Sequence, residues 1–150
     1  MSSPTIVVGI DGSAPARAAL RWATEYAELS RAHVRAVAVW QQPAPVSDGF
    51  GGMVPVAPDD DLSAQAQSWV DEAMAALPRD GAKLAARTVL EGAAKELLLD
   101  LAEDAQLLVL GNKRRGAVAA AVIGSVALSC VHHASCPVIL VPEDDDAPAG

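Results

Sequence analysis

Aromatic side chains are nearly missing from this 150-residue chain: three Trp, one Tyr and one Phe make up 3% of it. The core must therefore be built from Ala, Val and Leu, and a hydrophobic content of 51% excludes a disordered chain. Cysteine is as scarce. Cys130 and Cys136 are too few for a disulfide scaffold, and their spacing matches neither a redox nor a zinc motif, so a reduced, cytosolic setting fits. Basic charge is short as well: 11 Lys and Arg face 19 Asp and Glu, a formal net charge of −8. Phosphate repels such a surface, which excludes a general nucleic-acid binder, and any anion site has to come from local geometry. Long apolar runs are lacking too. The most apolar stretch, residues 117–131, is broken by Gly124, Ser125 and Ser129 and followed by His132 and His133. A spanning helix wants about 20 apolar residues, so no membrane partner is expected. The first five residues carry no basic side chain and do not read as a signal peptide. Two motifs are absent: the P-loop signature G-x-x-x-x-G-K-[ST], and G-x-G-x-x-G after the first strand.

What is there alternates. TIVVGI at residues 5–10 is a β-branched run of the kind found in strands buried on both faces. It ends at Asp11, Gly12 and Ser13; Ser13 is a good helix N-cap and Pro15 suits a first turn. A helix is expected to about residue 31, with Ala19, Leu20, Ala23 and Ala27 on its apolar face. Residues 34–39 read as a second strand. Residues 41–61, rich in Pro, Gly and Asp, read as a mobile loop. Leu62, Ala66, Trp69, Val70, Ala73 and Leu77 share one helical face, stopped by Pro78. A third strand is expected at 83–90, a third helix around Ala94, Leu97, Leu98 and Leu101, and a fourth strand at 107–110. Residues 111–124 form a glycine-bounded loop with some helical character. A fourth helix, capped by Ser125, runs to about 133, and a fifth strand spans 137–141. One domain over residues 1–142 is expected, then an acidic frayed tail at 143–150. Strands that alternate with helices and read as unbroken apolar runs imply an α/β fold with a parallel sheet covered on both faces.

In such a sheet, ligands bind beyond the carboxyl ends of the strands, near the switch in strand order. The residues there are Asp11, Gly12 and Ser13 after the first strand, Trp40 after the second, and Gly111 through Gly116 after the fourth, with Gly124 and Ser125 beyond. Glycines allow close backbone approach, and a helix beginning at Gly124 and Ser125 offers free N–H groups to an anion. Lys113, Arg114 and Arg115 are three consecutive cations in an acidic chain. Each feature also has a plainer reading: Ser125 as a cap, the cations as a solvated turn, Asp11 as a turn residue. Their joint placement after strands one and four favours a phosphate site. A phosphorylated receiver domain is excluded, because the third strand ends in Glu91-Gly92 where an Asp is wanted. No nucleophile–base pair is evident. His132 and His133 read as surface or packing residues, His33 as peripheral, and Cys136 as buried at a strand start.

VVGIDGS near the start, VLEG near the middle, and LLVLGNKRRGAVAAAVIGSVALSCVHHASCPVILV near the end resemble the universal stress protein family over residues 5–141. The resemblance implies a single-domain, flavodoxin-like or Rossmann-like sandwich, a five-stranded parallel sheet of order 3-2-1-4-5 with four helices. Members that bind ATP carry Gly, two residues, Gly, nine residues, Gly, then Ser or Thr. Gly111, Gly124 and Ser125 match; Arg114 stands at the second glycine, and Gly116 lies two residues later. By this resemblance Asp11 faces the ribose hydroxyls, Val39 meets adenine through its backbone, Gly111 packs on the ribose, and Gly116, Gly124 and Ser125 border the phosphates. Gly9, Ile10, Lys113, Arg114, Arg115 and Val126 complete the candidate cofactor-binding set. Arg114 cuts two ways: its Cβ obstructs close approach, whereas its guanidinium pairs well with phosphate.

Two classes of function follow. One is an adenine-nucleotide-binding regulatory stress protein, taking ATP with Mg²⁺ held mostly by phosphates and water, at most a slow hydrolase, and not otherwise an enzyme. The other is an interaction module without nucleotide. In either, a homodimer through the apolar strand at Val138, Ile139, Leu140 and Val141 would cover an exposed sheet edge.

Overall fold

A computed structural model of the chain describes residues 3–43, 49–52, 59–112 and 123–143. Its elements run β1 (Thr5–Ile10), α1 (Ala14–Ser30), β2 (His33–Trp40), α2 (Asp59–Ala75), α3 (Arg79–Leu84), β3 (Ala85–Glu91), α4 (Ala94–Ala102), β4 (Leu107–Asn112), α5 (Ser125–His133) and β5 (Val138–Pro142). The sheet has five strands in the order β3-β2-β1-β4-β5, every neighbouring pair parallel. This is the expected α/β sandwich and strand order.

The two-residue period of each strand divides the core into two layers. Ile6, Val8 and Ile10 of β1 point to one side of the sheet, with Val34, Ala36 and Ala38 of β2 and Val109 of β4. There they meet Ala19, Leu20, Ala23 and Ala27 of α1 and Ala66, Val70 and Ala73 of α2. Val7, Val37, Leu108 and Leu110 point to the other side, against Leu98 and Ala102 of α4 and Cys130 of α5. Small alanines let α1 lie close to the sheet, which is how a core so poor in aromatics still closes. Among the described residues Thr24 is the one fully buried polar side chain, and its hydroxyl donates to the Arg21 carbonyl at 2.9 Å.

Four expectations are corrected. A fifth helix, α3, follows Pro78. Gly81 at its centre lacks a side chain where Thr24 would stand 3.2 Å away, so α3 seats directly on α1. Glycine is a poor helix former, and the segment shows no periodic signature in the sequence. Consequently β3 begins at Ala85, two residues later than the strand expected from 83. α2 begins at Asp59, inside the stretch to residue 61 expected as loop; residues 44–48 and 53–58 lie outside the described residues. Cys136, expected buried, is half-buried beside the edge strand β5, and Cys130 is the cysteine without exposure. The acidic tail from 144 onward also lies outside the described residues. No helix among the described residues is long and apolar enough to cross a membrane.

Candidate functional site

The chain leaves β1 for β2 and β3 on one side, and returns through β4 and β5 on the other. The connections after β1 and β4 therefore lead to helices on opposite faces of the sheet, α1 and α5, and leave a crevice outside the carboxyl ends of the two strands. A cleft of about 280 Å³ lies there, at the lower end of small-molecule sites, roughly 300–1,000 Å³. Gly9, Ile10 and Asp11 come from the end of β1, Leu110 and Gly111 from β4, and Val37 and Val39 from β2. Ala94 and Leu98 come from α4, Gly124, Ser125, Val126 and Ala127 from the start of α5, and Ser13 from the first loop.

Of the residues singled out in the sequence, Gly9, Ile10, Asp11, Val39, Gly111, Gly124, Ser125 and Val126 are brought together here. Lys113, Arg114, Arg115 and Gly116 lie outside the described residues. Ser13, placed after the first strand by the sequence, also lines the cleft, whereas Val37, Ala94, Leu98, Leu110 and Ala127 were not among the candidate site residues. Periodicity carried a signal for several of them: Val37 is two residues before Val39 on the same strand face, and Ala94 and Leu98 are four apart on one helix.

The β1–α1 turn is built by its own side chains. Ser13 caps α1, its hydroxyl accepting from Ala16 N at 3.3 Å. Asp11 Oδ1 accepts from Ser13 N at 3.0 Å and from Ser13 Oγ at 2.5 Å. Asp11 is the one ionisable side chain among the described lining residues. At the opposite wall the expected cap is corrected. Gly124, not Ser125, is the N-cap of α5, with extended φ −61 and ψ 156, and as glycine it makes no side-chain cap hydrogen bond. Ser125 is its first helical residue. The first N–H groups of a helix have no partner within it, and here they border the cleft. Such an end favours an anion through its N–H donors and its dipole.

The two matched glycines differ. A Cβ on Gly111 would fall 2.5 Å from Pro15 C and 2.6 Å from Ala16 N, so the first turn of α1 fills the space a side chain would need. A Cβ on Gly124 would meet no atom of the described residues within 4 Å. Gly111 is fixed by packing; among the described residues Gly124 leaves room.

The remaining sequence candidates stand apart. His132 and His133 are exposed at the far end of α5, where His133 Nδ1 lies 3.0 Å from the Ser129 carbonyl. His33 is exposed at the start of β2, away from the carboxyl ends of the strands. Burial pushes the Cys130 thiol up, and the neighbouring Cys136 adds to this. Burial also raises Cys136, against backbone hydrogen bonds that lower it. Both therefore favour the unreactive thiol form.

The model of the universal stress protein family matches residues 3–142. The chain belongs to the universal stress protein family. A universal stress protein of Mycobacterium tuberculosis is 32% identical over 152 residues, which cover 93% of this chain and 48% of that protein. The chain spans about half the length of the curated relatives it matches. Among solved structures, the universal stress protein from Archaeoglobus fulgidus in complex with dAMP aligns with a TM-score of 0.63 at 24% identity, over 93% of this chain and 98% of that one. A universal stress protein in complex with cAMP aligns with a TM-score of 0.58 at 24% identity, over 96% and 100%. At these identities the likeness is one of fold.

Proposed function

We propose that the cleft binds an adenine nucleotide, ATP with Mg²⁺ in the first instance, and that the protein acts as a nucleotide-responsive regulator. The observation that carries this reading is the start of α5, whose first residues line the cleft with no side-chain cap at Gly124 and, among the described residues, no atom where a Gly124 Cβ would stand. The apolar wall of Val37, Val39, Leu98 and Leu110 suits a flat base, and the Asp11 carboxylate suits hydroxyl groups of a ribose. Lys113, Arg114 and Arg115 follow β4 in sequence and supply cations for phosphate oxygens. The structural neighbours that hold dAMP and cAMP support the same class of ligand. Mg²⁺ would be held by phosphates and water, which needs no protein carboxylate cage. Two cysteines outside any disulfide suit a reducing, cytoplasmic setting.

Isothermal titration of nucleotide-stripped protein tests this reading. Saturable micromolar binding of ATP with Mg²⁺ is expected; no heat up to millimolar ATP from folded protein rejects it in favour of an interaction module.

The same reading includes a homodimer. β5 is a sheet edge, its side chains are half-buried, and Leu128 and Val131 of α5 are 45% and 47% exposed nearby. Pairing β5 with its copy across a two-fold axis would cover both edges. Ile139→Lys is expected to yield monomers in light scattering. Ile139 also packs on the α1 side of the core, so its melting curve is read alongside. A folded variant that stays dimeric places the interface elsewhere.

A further inference from the structure

The turn that carries Asp11 is held from outside by an aromatic side chain. Trp69 stands half-buried on α2, packed on the same core layer as α1, and outside the described cleft lining. A Cβ built on Gly12 would fall 2.5 Å from Trp69 Nε1, 2.6 Å from Cδ1 and 3.0 Å from Cε2. The indole therefore lies flush against the backbone of Gly12. That residue has φ +83, in the left-handed region that L side chains seldom adopt. Arg17 holds the same residue, its Nη1 donating to the Gly12 carbonyl at 3.1 Å. One residue to either side, Asp11 and Ser13 are joined by their two hydrogen bonds.

We infer that Trp69 is a positioning residue whose indole clamps the Gly12 turn and so fixes Asp11 at the cleft rim before a ligand arrives. The role in binding rests on the reading of the cleft as a nucleotide site. Glycine enters left- and right-handed conformations with similar ease, so an unclamped Gly12 turn would sample both. A ligand contacting Asp11 would then have to order that turn. The indole does so within the fold, which is preorganisation. Sequence periodicity places Trp69 on the core face of its helix and gives no sign of the turn it covers, because that contact joins two elements far apart in the chain.

The test pairs binding with local exchange. Trp69→Ala is expected to weaken ATP binding about tenfold, the factor that ordering one residue's backbone on binding imposes. Amide hydrogen exchange at Gly12 and Ser13 should quicken in the ligand-free variant, while exchange in β4 stays parental. Trp69→Phe, which keeps a flat ring, should restore most of both. In an Asp11→Asn background, Trp69→Ala should cost much less than tenfold, because the effect travels through Asp11. Should Trp69→Ala not fold, Trp69→Leu keeps apolar volume without the flat ring and is read in the same way. Parental affinity together with parental exchange in the variant overturns the inference. If the parent protein binds no adenine nucleotide, the cleft reading and the binding role fail together, and quickened exchange at Gly12 and Ser13 supports the clamp alone.

Discussion

Gly124→Asp is expected to keep the fold and to lose nucleotide affinity by about a hundredfold or more. Its backbone, at φ −61 and ψ 156, is one that any L residue adopts, and a Cβ there meets no atom of the described residues within 4 Å. Aspartate is also a better N-cap than glycine, so the variant should melt at or slightly above the parental temperature. The same substitution acts against the ligand in two ways. The carboxylate takes N–H donors of α5 that a phosphate would use, and it sets a negative charge beside a negative ligand. Two unit charges 4 Å apart near a protein surface interact by about 4 kcal/mol, and a hundredfold loss needs only about 2.7 kcal/mol. Titration and a thermal melt on one preparation check both halves. Parental affinity in the variant would place the phosphates away from α5.

Gly111→Ala is expected to do the reverse and damage the fold. Its added methyl would collide with Pro15 C at 2.5 Å and Ala16 N at 2.6 Å. These are backbone atoms of the capped first turn of α1, and unlike a side-chain tip they cannot rotate away. Overpacking of this kind costs about 3 kcal/mol or more, and in a domain of this size that lowers Tm by roughly 6–12 °C. Thermal melting by circular dichroism measures it. An unshifted Tm would mean that α1 gives way freely and that Gly111 is not fixed by packing. The two substitutions together assign different duties to the two glycines, one to the joint between α1 and β4, the other to the entrance of the cleft.

Local chemistry made much of the fold legible. The β-branched run of β1, the Ser13 cap and Pro15 gave the first strand and helix to within a residue, because each signal acts on its own neighbours. The parallel sheet followed from alternation of apolar runs with helices. Signals that depend on distant contacts were not legible. α3 forms around Gly81 because Thr24 of α1 leaves a seat for it. Gly124 rather than Ser125 caps α5 because the extended backbone stops there, a matter of dihedral angles and not of residue type. The site was partly legible, since strand ends and glycines mark the edge where ligands bind. Its apolar floor, Leu98 against Leu110, and the indole over Gly12 depend on packing between elements far apart in sequence.

Amide chemical shifts followed during titration of uniformly ¹⁵N-labelled, nucleotide-stripped protein with ATP and Mg²⁺ test the central claim most directly. Saturable shifts concentrated at Gly9, Asp11, Gly111, Gly124, Ser125 and Val126 are expected, with β3 and the outer face of α2 unmoved. A folded protein whose amides do not shift, or whose shifts gather away from the ends of β1 and β4 and the start of α5, would contradict it.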